Sequence, residues 1–193
     1  MPSSYTTRNG IELIATGEQS GTWGDTTNTN LQIIDRVLSG VGTIDLSGSG
    51  AAHTLTTTDG TLTDGMYKVL VLDGATEACT ITISPNDAQK LYFVYNNSGE
   101  SCVFTQGSGG NVTVANGDTK VIYADGAGAG AAVSDFTANL AMSSVNITGG
   151  SVTGITDLAV ADGGTGASNV AGAQANLEVD PAGTAVALAI ALG

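Results

Sequence analysis

The sequence predicts a mainly β protein in four parts. These are an N-terminal docking segment with a short helix (1–40), a small antiparallel β-sandwich or jelly-roll-like domain (41–134), a thin trimeric stalk (135–167), and a short helix with an apolar tail (168–193). Three observations carry that expectation. Val, Ile and Thr are plentiful among 28 glycines and only 3 prolines, which favours short strands joined by Gly, Asn and Asp turns. Apolar alternation with period two recurs between about 41 and 134. Beyond Gly126–Val133 the apolar residues become too sparse for a chain to bury a core of its own.

The first 24 residues are largely polar, with a short apolar island at Ile11, Leu13 and Ile14. Leu31, Ile34 and Leu38 then recur at helical spacing, with Ile33 and Val37 beside them. Thr29-Asn-Leu-Gln32 fits a capping box, and Gly40 is a natural stop through a positive φ. A helix of about three turns is marginal alone and needs a partner over its apolar stripe. Trp23, in SGTWGDTTN, reads either as a plug over the helix start or as a docking anchor.

Eight runs follow: VGTIDLSG, HTLTTT, MYKVLVLDG, CTITIS, KLYFVYNN, CVFTQG, NVTVANG and TKVIYADG. Each ends in Gly, Asn, Asp or a similar turn residue, the spacing expected of an antiparallel sandwich. Cys79, Ile81 and Ile83 share one face, and Val112 and Val114 another. Met66, Val69, Val71, Leu91, Phe93, Val103, Phe104, Val121 and Ile122 are the expected core. Cys79 and Cys102 read as small buried hydrophobes; a bond between them would need adjacent strands and an oxidising compartment.

In the stalk, Val145 and Ile147 alternate, and Val152 and Ile155 follow across glycines. One apolar residue per chain becomes a ring of three where identical chains wrap an axis. Residues 168–178 read as a helix capped by Ser168, with Val170, Ala173 and Leu177 inward. In the tail, Val186, Leu188, Ile190 and Leu192 alternate with alanines. Strand or helix, that surface needs sister chains or a partner over it.

Charge and motif narrow the function. The net charge is −13, with Arg8, Arg36, Lys68, Lys90 and Lys120 as the cations. Such a surface repels polyphosphate, which excludes nucleic acid as a partner. No acid cluster has calcium spacing, and Asp162-Gly-Gly-Thr-Gly lacks the lysine of a phosphate loop and the third glycine of a dinucleotide loop, so no metal or cofactor is expected. His53 is the only histidine, no nucleophile elbow occurs, and no enzyme activity is expected. The tail is too short to cross a membrane, so no membrane insertion is expected, and no secretion signal is visible at the start.

Two segments carry a family resemblance. Ile14–Gly48, IATGEQSGTWGDTTNTNLQIIDRVLSGVGTIDLSG, resembles the start of fibre and appendage proteins of tailed bacteriophages, marine ones especially. Ile147–Gly183 resembles the stalk segment of phage tail fibres, in which DGGTGA precedes a short helix and an Asn-Leu-Gly turn; here Glu178 replaces that glycine. The resemblance implies a virion tail protein made in the host cytoplasm: a homotrimeric short fibre or adaptor that contacts other tail or fibre proteins and supports host attachment. Trp23, Leu31, Ile34, Leu38, Val145, Ile147, Val152, Ile155, Leu177, Val186, Leu188, Ile190 and Leu192 are the candidate docking or trimer contacts. The alternatives are a receptor- or carbohydrate-binding module, using loops Asn96–Glu100 and Gln106–Asn111, and a capsid decoration protein.

Overall fold

The computed structural model describes residues 2–138, 164–179 and 184–192. The chain divides into two units, Met1–Ala141 and Met142–Gly193. The expected stalk contacts Val145, Ile147, Val152 and Ile155 lie outside the described residues.

The first unit opens with a small hairpin, β1 (Ser4–Tyr5) and β2 (Glu12–Leu13), followed by α1 (Trp23–Ser39). Helix α1 begins well before the expected capping box, so Thr29 lies inside it. Thr22 is its N-cap, but its side chain accepts from none of the helix's free amides. Instead Gln19 organises the first turn: its carbonyl oxygen accepts from the hydroxyls of Thr22 and Thr26. Gly40 does end the helix, but at φ −65°, not in the left-handed region. The reason for glycine there is room: a Cβ would stand 2.4 Å from the Arg36 carbonyl oxygen.

Nine strands then build two facing sheets: β3 (Val41–Asp45), β4 (Ala52–Thr56), β5 (Val69–Asp73), β6 (Cys79–Ser84), β7 (Lys90–Asn97), β8 (Cys102–Thr105), β9 (Val112–Val114), β10 (Thr119–Ala124) and β11 (Val133–Asp135). Eight coincide with the expected runs; β11 was not foreseen. The sheet orders are β11-β10-β7-β5-β3 and β4-β6-β8-β9.

The two-sheet expectation holds, but the antiparallel, jelly-roll-like one does not. β3, β5 and β7 pair in parallel, as do β4, β6 and β8. From β3 to β8 consecutive strands do not form hairpins: each turn carries the chain to the opposite sheet, and the chain returns one strand further on, in the same direction. Three such circuits make a short coil, in which Val41, Val69 and Phe93 stand side by side. Only the last strands run antiparallel: β9 against β8, β10 against β7, and β11 against β10. Short strands and turn residues signal where strands lie; they do not say which neighbour each strand will meet.

The core lies between the sheets. It includes Leu70, Leu72, Ile81, Ile83, Tyr92, Val94, Phe104 and Ile122. Cys79 and Cys102 are buried free thiols on neighbouring strands, in register. Met66, Phe104 and Ile122 are buried as expected. Val69, Val71, Leu91, Phe93, Val103 and Val121 are not; their side chains alternate onto the outer faces. A run such as KLYFVY is apolar at both parities, so its pattern does not fix which parity points in, and a one-residue shift exchanges the faces.

The polar groups at the coil's ends are satisfied. Asn96 is fully buried in line with Ile44 and Leu72. Its amide donates to the carbonyls of Glu100 and Val114, both at 2.8 Å, and its oxygen accepts from Ser98. Gln106 likewise donates to Ala88 and Pro85 carbonyls and accepts from the Gly126 amide. An unpaired buried amide would cost about 1–3 kcal/mol, so these bonds hold the loops rigid.

In the second unit, α2 (Val170–Asn176) is capped by Asn169, which accepts from the Gly172 amide; Ser168 is not the cap. Helix α3 (Thr184–Ala191) settles the tail as helical. Glu178 follows α2 at φ +52°. The Val179 amide donates to Gln174 and the Glu178 amide to Ala175, a Schellman closure whose left-handed position favours glycine.

Candidate functional site

The candidate contacts among the described residues sit where solvent reaches them. On α1, Asn30, Ile33 and Val37 face the body of the unit, and Ile33 is fully buried. Asn30 pairs with the backbone of Glu12 through both amide atoms at 2.9 Å. Arg36 lies over the Tyr67 ring at 4.5 Å and donates to the Thr63 carbonyl. The other side of the helix carries Leu31, Ile34 and Leu38, all exposed. Trp23 is 61% exposed, which removes its reading as a plug.

That stripe is not isolated in sequence. Val41 follows α1 and points outward from β3 at 62% exposure. Across the same sheet Val69, Phe93 and Val121 take the same row. Leu91, Tyr95 and Tyr123 flank that row on β7 and β10. Tyr123 stacks on Phe136, ring centroids 5.4 Å apart. Lys68 places its ammonium 5.8 Å from the Phe93 ring. The outer face of the five-stranded sheet is therefore aromatic and aliphatic. Sequence reasoning assigned Val69, Leu91, Phe93 and Val121 to the core, and so missed the surface they form. The signal was present: strands apolar at both parities are covered on both faces.

In the second unit Leu177 is exposed, as are Val186, Leu188, Ile190 and Leu192. Helix α3 carries no charged residue in its length. Val170, expected to point inward, is 75% exposed.

Of the loops considered for receptor binding, Asn96, Ser98 and Gln106 turn their polar side chains inward, while Asn97, Glu100, Ser108 and Asn111 are exposed. The glycine-rich turn is also closed locally: Asn176 donates to the carbonyls of Thr165 and Gly166.

His53 lies on edge strand β4, between two partners. One ring nitrogen, Nε2, is 3.0 Å from Asp64, and Nδ1 is 3.3 Å from the Ser49 hydroxyl. The second Asp64 oxygen accepts from the amides of Thr56 and Gly65, both at 2.8 Å. This chain of bonds ties two turns to β4. Among the described residues no group of three or more His, Cys, Asp or Glu side chains is placed to hold a metal, and no helix is long and apolar enough to cross a membrane. No family model, curated protein or solved structure matches this chain.

Proposed function

We propose that this chain is a structural protein of a tailed-phage virion, a short trimeric tail fibre or fibre adaptor that supports host attachment. One observation carries the assembly part of the reading. The outer face of the five-stranded sheet exposes Val41, Leu91, Phe93, Tyr95 and Phe136 in a chain whose surface is otherwise strongly acidic. Contiguous apolar surface of this kind marks a protein contact. Copies of a chain with net charge −13 repel one another except where they meet on uncharged faces. The central rows of this face, Val41-Val69-Phe93-Val121 and Thr43-Val71-Tyr95-Thr119, contain no acid. Helix α3, apolar and exposed, supports the same reading. The virion assignment itself rests on the resemblance of Ile14–Gly48 and Ile147–Gly183 to phage fibre segments.

The test is sedimentation of the full chain, followed by labelling of intact particles. A trimer placed on the tail is the expected result; a stable folded monomer overturns the assembly reading. Leu188→Asp with Ile190→Asp is expected to weaken the trimer at least tenfold, because it removes two apolar contacts and adds two like charges per copy. Unchanged oligomer stability in that variant excludes α3 from the interface.

A further inference from the structure

Lys90 is the one strongly buried cation among the described residues, and the assembly reading makes no use of it. It opens β7 and points inward with Tyr92, Val94 and Asn96, at 6% exposure. Its ammonium has three donors. Among the described residues one acceptor meets it, the neutral side-chain oxygen of Asn9 at 3.1 Å. Among the described residues no carboxylate pairs with it. A buried charge with one neutral partner is a costly arrangement.

Beside it lies a cavity of about 120 Å3, lined by Arg8, Asn9, Gln89, Lys90, Met66 and Tyr92 among others. No acidic residue contributes to its wall. That is unusual in a chain with 18 acids and 5 lysines and arginines. Arg8 and Asn9 also line a wider cavity with Thr6 and Thr7 hydroxyls, where Asp87 supplies the only carboxylate. Arg8 is held in place by two bonds to the Gln89 carbonyl oxygen, at 2.9 and 2.7 Å.

We propose that the smaller cavity binds a small oxyanion, a carboxylate or phosphate group, on the ammonium of Lys90, with Arg8 at the mouth. Lys90 and Arg8, with Lys68 also in the wall, supply the charge, and Asn9 and Gln89 the neutral polar lining. The overall acidity of the chain does not forbid this. At physiological ionic strength fields are screened within about 8 Å, so the local cations decide the binding of a small ion. The inference is independent of oligomeric state.

The chemistry fixes the sign of the pH dependence. Burial lowers the Lys90 pKa to about 8. The neighbouring ionisable groups are Arg8, Lys68, Tyr67 and Tyr92 on the smaller cavity and Asp87 on the wider one; the Tyr92 hydroxyl donates to the Gly65 carbonyl, the Lys68 ammonium lies over Phe93, and Arg36 lies over the Tyr67 ring. A bound anion favours protonated Lys90. Above pH 8 binding must therefore take up a proton, and affinity falls about tenfold per pH unit.

The test is calorimetric titration of the full chain with inorganic phosphate, acetate and glucuronate, in two buffers of different ionisation enthalpy. Phosphate against acetate distinguishes the anion; glucuronate reports whether a sugar ring is accepted in the wider cavity. Proton uptake approaching one per site at pH 9 is expected. Lys90→Met is expected to weaken binding at least tenfold and Arg8→Gln by less, with Lys120→Met as the charge-matched control. Proton uptake is read on the unaltered chain, so the test survives a Lys90→Met variant that fails to fold. Binding without proton uptake, equal binding by a folded Lys90→Met chain, or no binding of any probe overturns the proposal.

Discussion

The two sheets of the coil share one core and differ on their outer faces. Outside the four-stranded sheet stand Thr54, Thr82 and Thr105 in one row, with Ala52, Thr80, Val103 and Thr113 in the next, so threonine predominates over a single valine. Outside the five-stranded sheet stand Val41, Val69, Phe93 and Val121, with Tyr95 beside them. Both surfaces have high strand propensity. Threonine satisfies it with a hydroxyl that water can reach; phenylalanine satisfies it with a ring that water cannot solvate. One face is suited to solvent and the other to a protein contact. Regular β geometry is common to both, so the backbone alone would not reveal the difference.

The sharpest way to break that comparison uses two phenylalanines. Phe104 is fully buried between the sheets, and Phe93 is 42% exposed. Phe104→Ala is expected to cost about 3–5 kcal/mol in urea unfolding at any protein concentration. Phe93→Ala is expected to cost less than about 1 kcal/mol in dilute protein and progressively more as concentration rises. Equal, concentration-independent losses at both sites would mean that the outer face is ordinary surface.

A second comparison exchanges side chains on the two outer faces. Phe93→Ser with Tyr95→Ser is expected to raise the oligomer dissociation constant at least tenfold, about 1.4 kcal/mol, in sedimentation. Thr80→Ser with Thr82→Ser on the other sheet is expected to leave it unchanged. Reversal of that order would place the interface on the threonine face.

The edge of the five-stranded sheet responds to acid. Burial raises the pKa of Asp135, but hydrogen bonds from Thr137 and Lys120, with the lysine charge, outweigh it and hold the carboxyl at about 2. Lys120 and Asp135 join β10 to β11 at 2.9 Å. A carboxyl depressed below its usual 3.8 stabilises the fold above that pH, and the contribution is lost as pH falls towards 2. Hydrogen exchange of β11 is expected to quicken over that interval before β5 and β7 open. On the threonine-faced sheet the corresponding contact among the described residues, His53 with Asp64, ties β4 to a turn and not to a neighbouring strand.

The smallest effect belongs to Glu178. A left-handed backbone disfavours any residue with a Cβ, so Glu178→Gly is expected to steady the end of α2 by roughly 1 kcal/mol. Slower amide exchange at Val179 is the readout, and unchanged exchange would mean that the turn carries no strain.

Much of this was legible in the sequence. Strand positions were, because Thr- and Val-rich runs ended in turn residues. Cys79, Ile81 and Ile83 were placed on one shared face, since polar threonines separate them, and that face is buried, although Ile81 and Ile83 were not among the expected core residues. The circuit was not legible, because pairing direction depends on where a turn sends the chain. Phase was lost in KVLVLD and KLYFVY, where both parities are apolar. Leu31, Ile34 and Leu38 were singled out by helical spacing, and their exposure fits a stripe that needs cover. Lys90 gave no signal, since its burial depends on Asn9, far away in sequence.

The parallel circuits also make length a modular quantity. Each turn of the coil delivers the chain to the start of the next, in the same direction and in register. An inserted whole circuit would add one strand to each sheet and lengthen the domain by about 4.8 Å. The antiparallel strands that finish the coil would move outward unchanged. A partial insertion would exchange the two sheets and bring the threonine face where the aromatic face had been. Growth by whole circuits is thus a way to extend such a domain while keeping its contact face intact.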